Sequence, residues 1–184
     1  MGTYRQTVVD MDASPEEAAA GGERGRGWLE AEGFIRPVPW RGDVVYLAGP
    51  QWREAVDLVS WDWRARLKGL EEEPCDELRV VVGRTVFCAG QGDAPAALCP
   101  HCRSAAPDWP GEALDAWYAT GAADLDCPAC AHRAPLPEWN WTDDYFALAH
   151  LGFEFDDWPP LHPRFTEAFG RALGHRIRVV AGKI

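Results

Sequence analysis

The sequence predicts an α+β fold in which helices pack on a mixed sheet and a metal-binding insert interrupts the chain. Three observations predict it. The beginning of the chain shows a strand–helix–strand–strand pattern, the end shows helix–strand–helix–strand, and two pairs of cysteines lie between them. Such a combination of helices and strands is typical of an α+β sandwich around one hydrophobic core.

The first elements are a strand and a capped helix. A β-rich run over 3–9 precedes Ser14-Pro15-Glu16-Glu17, which supplies an N-cap, a proline at the first helical position and an acid three residues after the cap. The helix is expected to end at Gly33. Its expected buried stripe consists mostly of small residues, which let a helix lie close to a sheet. These residues are Ala18, Gly22, Gly25 and Leu29.

Apolar and β-branched runs predict three further strands before the cysteines. They cover 34–39, 43–47 and 78–88, and the third is the strongest strand signal in the chain. Residues 52–70 show a mixed pattern, and Trp61 and Trp63 at its centre would share a face only in a strand, because alternate residues of a strand point to the same side.

The end of the chain predicts two helices and two strands. Thr142 is expected to cap a short helix that reaches residue 150, and 151–155 alternate as a strand does. A second helix is predicted from His162-Pro163 to Gly174, since its aromatic and small apolar residues recur on one face. The apolar run over 176–184 predicts a final strand that belongs to the sheet.

Four of the six cysteines are arranged as a metal site. Cys99 and Cys102 form one C-x-x-C pair, and Cys127 and Cys130 form another after the 24 residues 103–126. Two intervening residues let both sulfurs of a pair reach one ion, and four soft thiolates favour tetrahedral Zn²⁺. Because four thiolates close the coordination shell, we expect a structural zinc and no catalysis at the metal. Two alternatives are a redox C-x-x-C pair and unrelated buried thiols.

The two pairs read Cys99-Pro100-His101-Cys102 and Cys127-Pro128-Ala129-Cys130, which resembles the knuckles of the zinc-ribbon group. The resemblance covers about one fifth of the chain. Arg103 and Ala131 stand where a glycine often follows such a knuckle. The resemblance implies a zinc-ribbon-like insert at 98–137, and residues 1–97 and 138–184 are expected to form one α+β domain together.

The remaining thiols and imidazoles are expected to have structural roles. Cys88 lies in an apolar run and is expected to be a small buried hydrophobe, and Cys75 an incidental thiol. His101 and His132 are expected at the surface or behind the metal ligands. The other three histidines are expected to form hydrogen bonds at the ends of elements. These are His150, His162 and His175.

Composition restricts the partners of the protein. The net charge of −11 repels phosphate backbones and anionic membranes, and it suits a basic protein partner. The first ten residues do not resemble a secretory signal, and no apolar run is long enough to cross a membrane. We therefore expect a cytoplasmic protein, whose oligomeric state the sequence leaves open.

Residues 134–163 are rich in acids and aromatics and contain no Lys or Arg. A negative groove with exposed tryptophans would suit a basic protein. The alternative is that the aromatic rings form the contact between the cysteine insert and the rest of the chain. The candidate partner-binding residues are Trp139, Trp141, Asp143, Asp144, Asp156, Asp157 and Trp158.

Three functions follow from these patterns. The first is a non-catalytic cytosolic protein, stabilised by zinc, that binds another protein as an adaptor. The second is a nucleic-acid-associated zinc-ribbon protein, although Arg103 and Arg133 are outnumbered by acids in the insert. The third is an enzyme with a carboxylate-based site in 138–162, although neither 143/144 nor 156/157 forms a carboxylate pair alone, because adjacent side chains point apart.

Overall fold

A computed structural model describes residues 3–58, 77–90, 95–106 and 110–184 of the chain. Cys75, Trp61 and Trp63 lie outside these residues. The predictions made for them therefore stay predictions.

Ten strands and three α-helices lie in the described ranges. The strands are β1 (Tyr4–Asp10), β2 (Ile35–Trp40), β3 (Asp43–Ala48), β4 (Leu78–Cys88), β5 (Ala97–Leu98), β6 (Asp124–Asp126), β7 (Arg133–Pro135), β8 (Asn140–Trp141), β9 (Phe146–Asp156) and β10 (Ile177–Lys183). The helices are α1 (Ala18–Ala31), α2 (Gly111–Thr120) and α3 (Pro163–Leu173).

Six strands form one sheet in the order β10-β1-β9-β4-β3-β2. The α+β class is confirmed. The expected sheet was mixed, whereas neighbouring strands of the described sheet run antiparallel throughout. The first and last strands of the chain pair side by side, so β10 belongs to the sheet as predicted.

Helix α1 lies close to the sheet because its buried face is mostly glycine and alanine, as predicted. A Cβ atom on Gly25 would come within 2.8 Å of Phe153 Cε1. The predicted capping box is also present, since Ser14 and Glu17 exchange hydrogen bonds between backbone N–H groups and side-chain oxygens. The regular helix begins only at Ala18.

Helix α3 matches its prediction at both ends. The His162 side chain accepts a hydrogen bond from the Arg164 N–H, and Gly174 ends the helix with a φ of 80°. Phe165, Phe169 and Leu173 form its buried face and pack against α1 and β9 in the largest core cluster.

The helix predicted from Thr142 to residue 150 is wrong. Only a 3₁₀ turn, Thr142–Asp144, forms at the predicted cap, and strand β9 begins at Phe146. The strand pairs with Thr85 to Cys88 of β4 beyond an irregularity that separates Val82 from Thr85. The long partner strand therefore outweighs the local helix-start signal.

The sheet curls until β4 and β10 meet at one end. A Cβ atom on Gly182 would collide with the carbonyl oxygen of Ala89, so the two backbones approach more closely than any other residue type permits. A small core cluster that includes Val9, Phe87 and Val180 fills the inside of this curl. Cys88 follows Phe87 and is exposed, so its predicted burial is wrong, because alternate strand residues face opposite sides.

Candidate metal centre

The four cysteine sulfurs converge on one point. All lie within 4.8 Å of one another. Cys102 Sγ is 3.6 Å from Cys127 Sγ, and Cys99 Sγ is 3.9 Å from Cys130 Sγ. A tetrahedron with zinc–sulfur bonds of about 2.3 Å has sulfur–sulfur edges of about 3.8 Å, whereas disulfide sulfurs are about 2.0 Å apart. The spacing fits a four-thiolate metal site and no disulfide.

Two loops with the same hydrogen-bond pattern present the sulfurs. In the first, the Cys99 N–H donates to the Ser104 carbonyl and the Arg103 N–H donates to the Cys99 carbonyl. In the second, the Cys127 N–H donates to His132 and the Ala131 N–H donates to Cys127, again through backbone carbonyls. Each loop therefore turns the chain so that both cysteines of a pair face the same point.

The residue after each pair has a left-handed backbone conformation. The φ angle is 62° at Arg103 and 56° at Ala131. These are the two positions where the zinc-ribbon knuckle often has glycine, the residue that adopts such a φ without steric cost. Both positions therefore have a backbone conformation that favours glycine although neither residue is a glycine.

The site is anchored on its inner side and open to solvent on its outer side. The first cysteine of each pair, Cys99 and Cys127, is buried, and the second, Cys102 and Cys130, is exposed. The buried pair belongs to the second core cluster, together with Trp117 of α2. The packed core therefore holds the first cysteine of each pair in place.

Two of the ligand thiols, Cys102 and Cys130, have pKa values shifted in opposite directions. Hydrogen bonds from the Ser104 side chain and backbone lower the pKa of Cys102 to about 6. At Cys130 a backbone hydrogen bond with His132 lowers the pKa, but burial and the hydrogen bonds with the neighbouring thiols outweigh it and raise the pKa to about 12. Thiols this close cannot all ionise without a cation among them, which is what a divalent metal supplies.

Helix α2 closes the cluster and was missed by the sequence analysis. Leu114 and Trp117 are its buried residues and pack in the core around Cys99 and Cys127. Their i,i+3 spacing, with Gly121 as the C-terminal stop, is the signal that would have identified the helix.

The three candidate tryptophans are buried, so the expectation that they are exposed to a partner is wrong. Trp139 and Trp158 are 0% exposed and Trp141 is 2% exposed. Trp139 and Trp141 pack in the second core cluster, here named the cysteine core because it contains Cys99 and Cys127. The Trp139 Nε1–H donates to the Ala134 carbonyl. Trp158 packs in the main core against Phe155. Burial of large aromatic area against two elements holds these rings in place.

The four candidate aspartates divide into two groups. Asp143 and Asp144 are exposed and have positive φ angles. Asp156 pairs with Arg5 at 2.7 Å and with Arg79 at 3.0 Å, and burial raises its pKa.

The fourth aspartate supports β1. Asp157 Oδ1 accepts a hydrogen bond from the Tyr4 N–H at 2.8 Å. The 156/157 doublet therefore ties the end of β9 to β1 and β4, whereas the 143/144 doublet faces solvent.

The histidines contact different neighbours. His101 and His132, one from each cysteine loop, are exposed and their rings stack 5.0 Å apart. His175 Nδ1 lies 2.9 Å from the fully buried carboxylate of Asp10. His150 lies inside β9 and not at an element end, so that prediction is wrong, and burial lowers its pKa.

Among the described residues, the four cysteines are the one cluster that could hold a metal ion. None of the helices described here has the length and apolar character needed to cross a membrane. Comparisons with protein-family models, with curated proteins and with solved structures found no match.

Proposed function

We propose that the protein is a non-catalytic binding protein of the cytosol whose fold depends on one structural Zn²⁺. The convergence of four cysteine sulfurs on one point supports this proposal most strongly. Four protein thiolates leave no coordination position for water or substrate, so the metal would supply stability and no chemistry.

The metal would fix the segment 98–137 against the rest of the chain. The two cysteine loops are about 25 residues apart in sequence, and their core is small. Binding energy for zinc would therefore be folding energy for this segment. On this basis we propose that 98–137 is an insert in one α+β domain formed by 1–97 and 138–184.

The partner we propose is another protein with a basic surface. The net charge is −11, and the exposed acids Asp143 and Asp144 follow directly after the cysteine core. Arg133 is exposed but pairs with Asp124 and Asp126 at 3.2 and 3.4 Å. Since this neutralises a cation that phosphates would need, the surface suits a basic protein better than a nucleic acid.

A comparison of two baits tests the partner. The zinc-loaded full chain and its Asp143→Asn, Asp144→Asn double variant would be immobilised and exposed to host lysate at moderate salt. Asparagine is a matched substitution, because it tolerates positive φ and removes only the charge. We expect a stoichiometric basic protein on the native bait and much less on the variant, since charge complementarity governs such association.

Two results would contradict the proposal. Recovery of no stoichiometric partner would remove the binding role. Tight, salt-dependent binding of random DNA or RNA by the purified chain would favour the nucleic-acid function instead.

A further inference from the structure

A groove of about 600 Å³ lies between the cysteine core and the edge strand β10. Its lining combines Pro100, beside the ligand Cys99, and Pro135 with the charged side chains of Arg176 and Arg178. The volume falls within the range of about 300–1,000 Å³ that is usual for small-molecule sites.

Arg178 is a half-buried cation with neutral partners. Its guanidinium donates to the Asn140 side-chain oxygen at 2.8 Å and to the Phe146 carbonyl at 3.3 Å. It forms no ion pair with any carboxylate of the described ranges. Burial lowers its pKa, because a cation is less well solvated there than in water. A half-buried cation of this kind is stabilised when an anion binds it.

The other charges around the groove are largely accounted for. Arg176 pairs with Asp12, whose carboxylate also accepts the Arg176 backbone N–H at 2.8 Å. Glu138 lines the groove, is exposed, and interacts electrostatically with Arg176. Asp144 acts on Arg178 only through the longer-range Coulomb interaction. Arg178 is therefore the group whose donors a ligand would use.

We propose that this groove binds a small organic oxyanion, a carboxylate or a phosphate ester, whose charged group pairs with Arg178. Two oxygens on one centre match the planar fork of a guanidinium. The apolar body of the ligand would lie against Pro100, Pro135 and Pro137, which also line the groove. This proposal does not rest on the proposed protein partner, and Asp144, an acid proposed to bind that partner, acts on Arg178 only through the Coulomb interaction.

Binding of benzoate and of phenyl phosphate to the zinc-loaded full chain tests the proposal, with benzyl alcohol as the uncharged probe. Calorimetry would give the affinities, and the Arg Nε–Hε signals in an NMR spectrum would locate the site. We expect at least one of the two anions to bind more tightly than benzyl alcohol and to shift the Arg178 signal. The anion that binds more tightly identifies the headgroup.

Three variants complete the test. Arg178→Gln should weaken the anion roughly tenfold or more, as the loss of a charged hydrogen-bond donor implies. Glu138→Gln removes a competing carboxylate and should strengthen binding. Arg164→Gln, an exposed arginine on α3 outside the groove, should leave it unchanged. Zinc content and circular dichroism show that each variant is folded.

The proposal is overturned if neither anion binds at millimolar concentration. It is also overturned if Arg178→Gln binds as the parent does, or if Arg164→Gln loses as much affinity as Arg178→Gln. None of these results bears on the zinc site or the protein partner, because each of those has its own measurement.

Discussion

Arg103 and Ala131 occupy equivalent positions in the two cysteine loops, and both have the left-handed backbone conformation that favours glycine. Each donates its N–H to the carbonyl of the first cysteine in its loop. The two loops therefore have one geometry although their sequences differ after the second cysteine. Because of this backbone conformation, we expect Ala131→Gly to raise the free energy of unfolding and the nearby Ala129→Gly to lower it.

Ala131→Gly is expected to stabilise the folded protein by about 0.5–1 kcal/mol, because it removes the steric cost of a positive φ. Ala129→Gly is the matched control. Ala129 is equally exposed and has no positive φ, so this change should lower the free energy of unfolding by a similar amount. Urea unfolding of the zinc-loaded chains measures both, and equal signs for the two changes would contradict the backbone argument.

A second pair of substitutions tests how α1 packs on the sheet. Gly27→Ala should raise the free energy of unfolding by about 1 kcal/mol, since a Cβ there meets no atom within 4 Å and alanine favours a helix. Gly25→Ala should lower it by about 1–3 kcal/mol, because the new Cβ would press on the buried ring of Phe153. Thermal unfolding of the two variants measures both changes in stability. A gain in stability from Gly25→Ala would show that the helix does not lie this close to β9.

Zinc affinity should depend on pH in a defined direction. Cys130 retains its proton at neutral pH because its pKa is about 12, whereas Cys102, with a pKa of about 6, is already a thiolate. Zinc must displace the Cys130 proton at pH 7, and below about pH 6 it must displace a proton from Cys102 as well. Affinity should therefore fall on acidification and fall more steeply below pH 6.

Competition with a chelator across pH 5.5–7.5, a range placed around the Cys102 pKa, measures this dependence. Ser104→Ala removes the hydrogen bond that most strongly lowers the Cys102 pKa, so the steeper region should move to higher pH. An affinity that does not change over this range would contradict thiolate ligation.

The sequence predicted correctly the features that depend on residues near one another in the chain. The cysteine spacing, the His162 cap and Gly174 stop of α3, and the small-residue face of α1 are all present in the structure. The ends of α3 and the buried face of α1 depend on residues close together in the chain. The two C-x-x-C pairs form a pattern that is typical of a metal site.

The features that the sequence did not reveal depend on contacts between residues far apart in the chain. Strand β9 starts at Phe146 because β4 offers a partner over 146–149 and 151–155, which no local propensity encodes. The sequence left two interpretations of the tryptophans open, a partner surface among acids or the contact between the insert and the rest of the chain, and Trp139 and Trp158 lie in two different cores. The groove beside Arg178 joins Met11, Pro100 and the segments 135–140 and 176–178, which are far apart in sequence, and it has no sequence signature.

Single cysteine variants test the cooperation of the four ligands. Cys99→Ser or Cys127→Ser should lose zinc and solubility together, because each removes a buried ligand whose metal bond holds the second core. Cys88→Ser is the control, since Cys88 is exposed on β4 and lies outside the cluster. Elemental analysis and sedimentation of the purified variants report both properties. Full zinc occupancy in either of the first two variants would rule out a site that needs all four sulfurs.

X-ray absorption at the zinc edge of the purified native chain examines the metal shell itself. We expect about one zinc per chain, surrounded by four sulfur atoms at about 2.3 Å and no nitrogen or oxygen neighbour. A folded chain without metal, or a shell that contains a nitrogen or oxygen ligand, would contradict a closed four-cysteine zinc site.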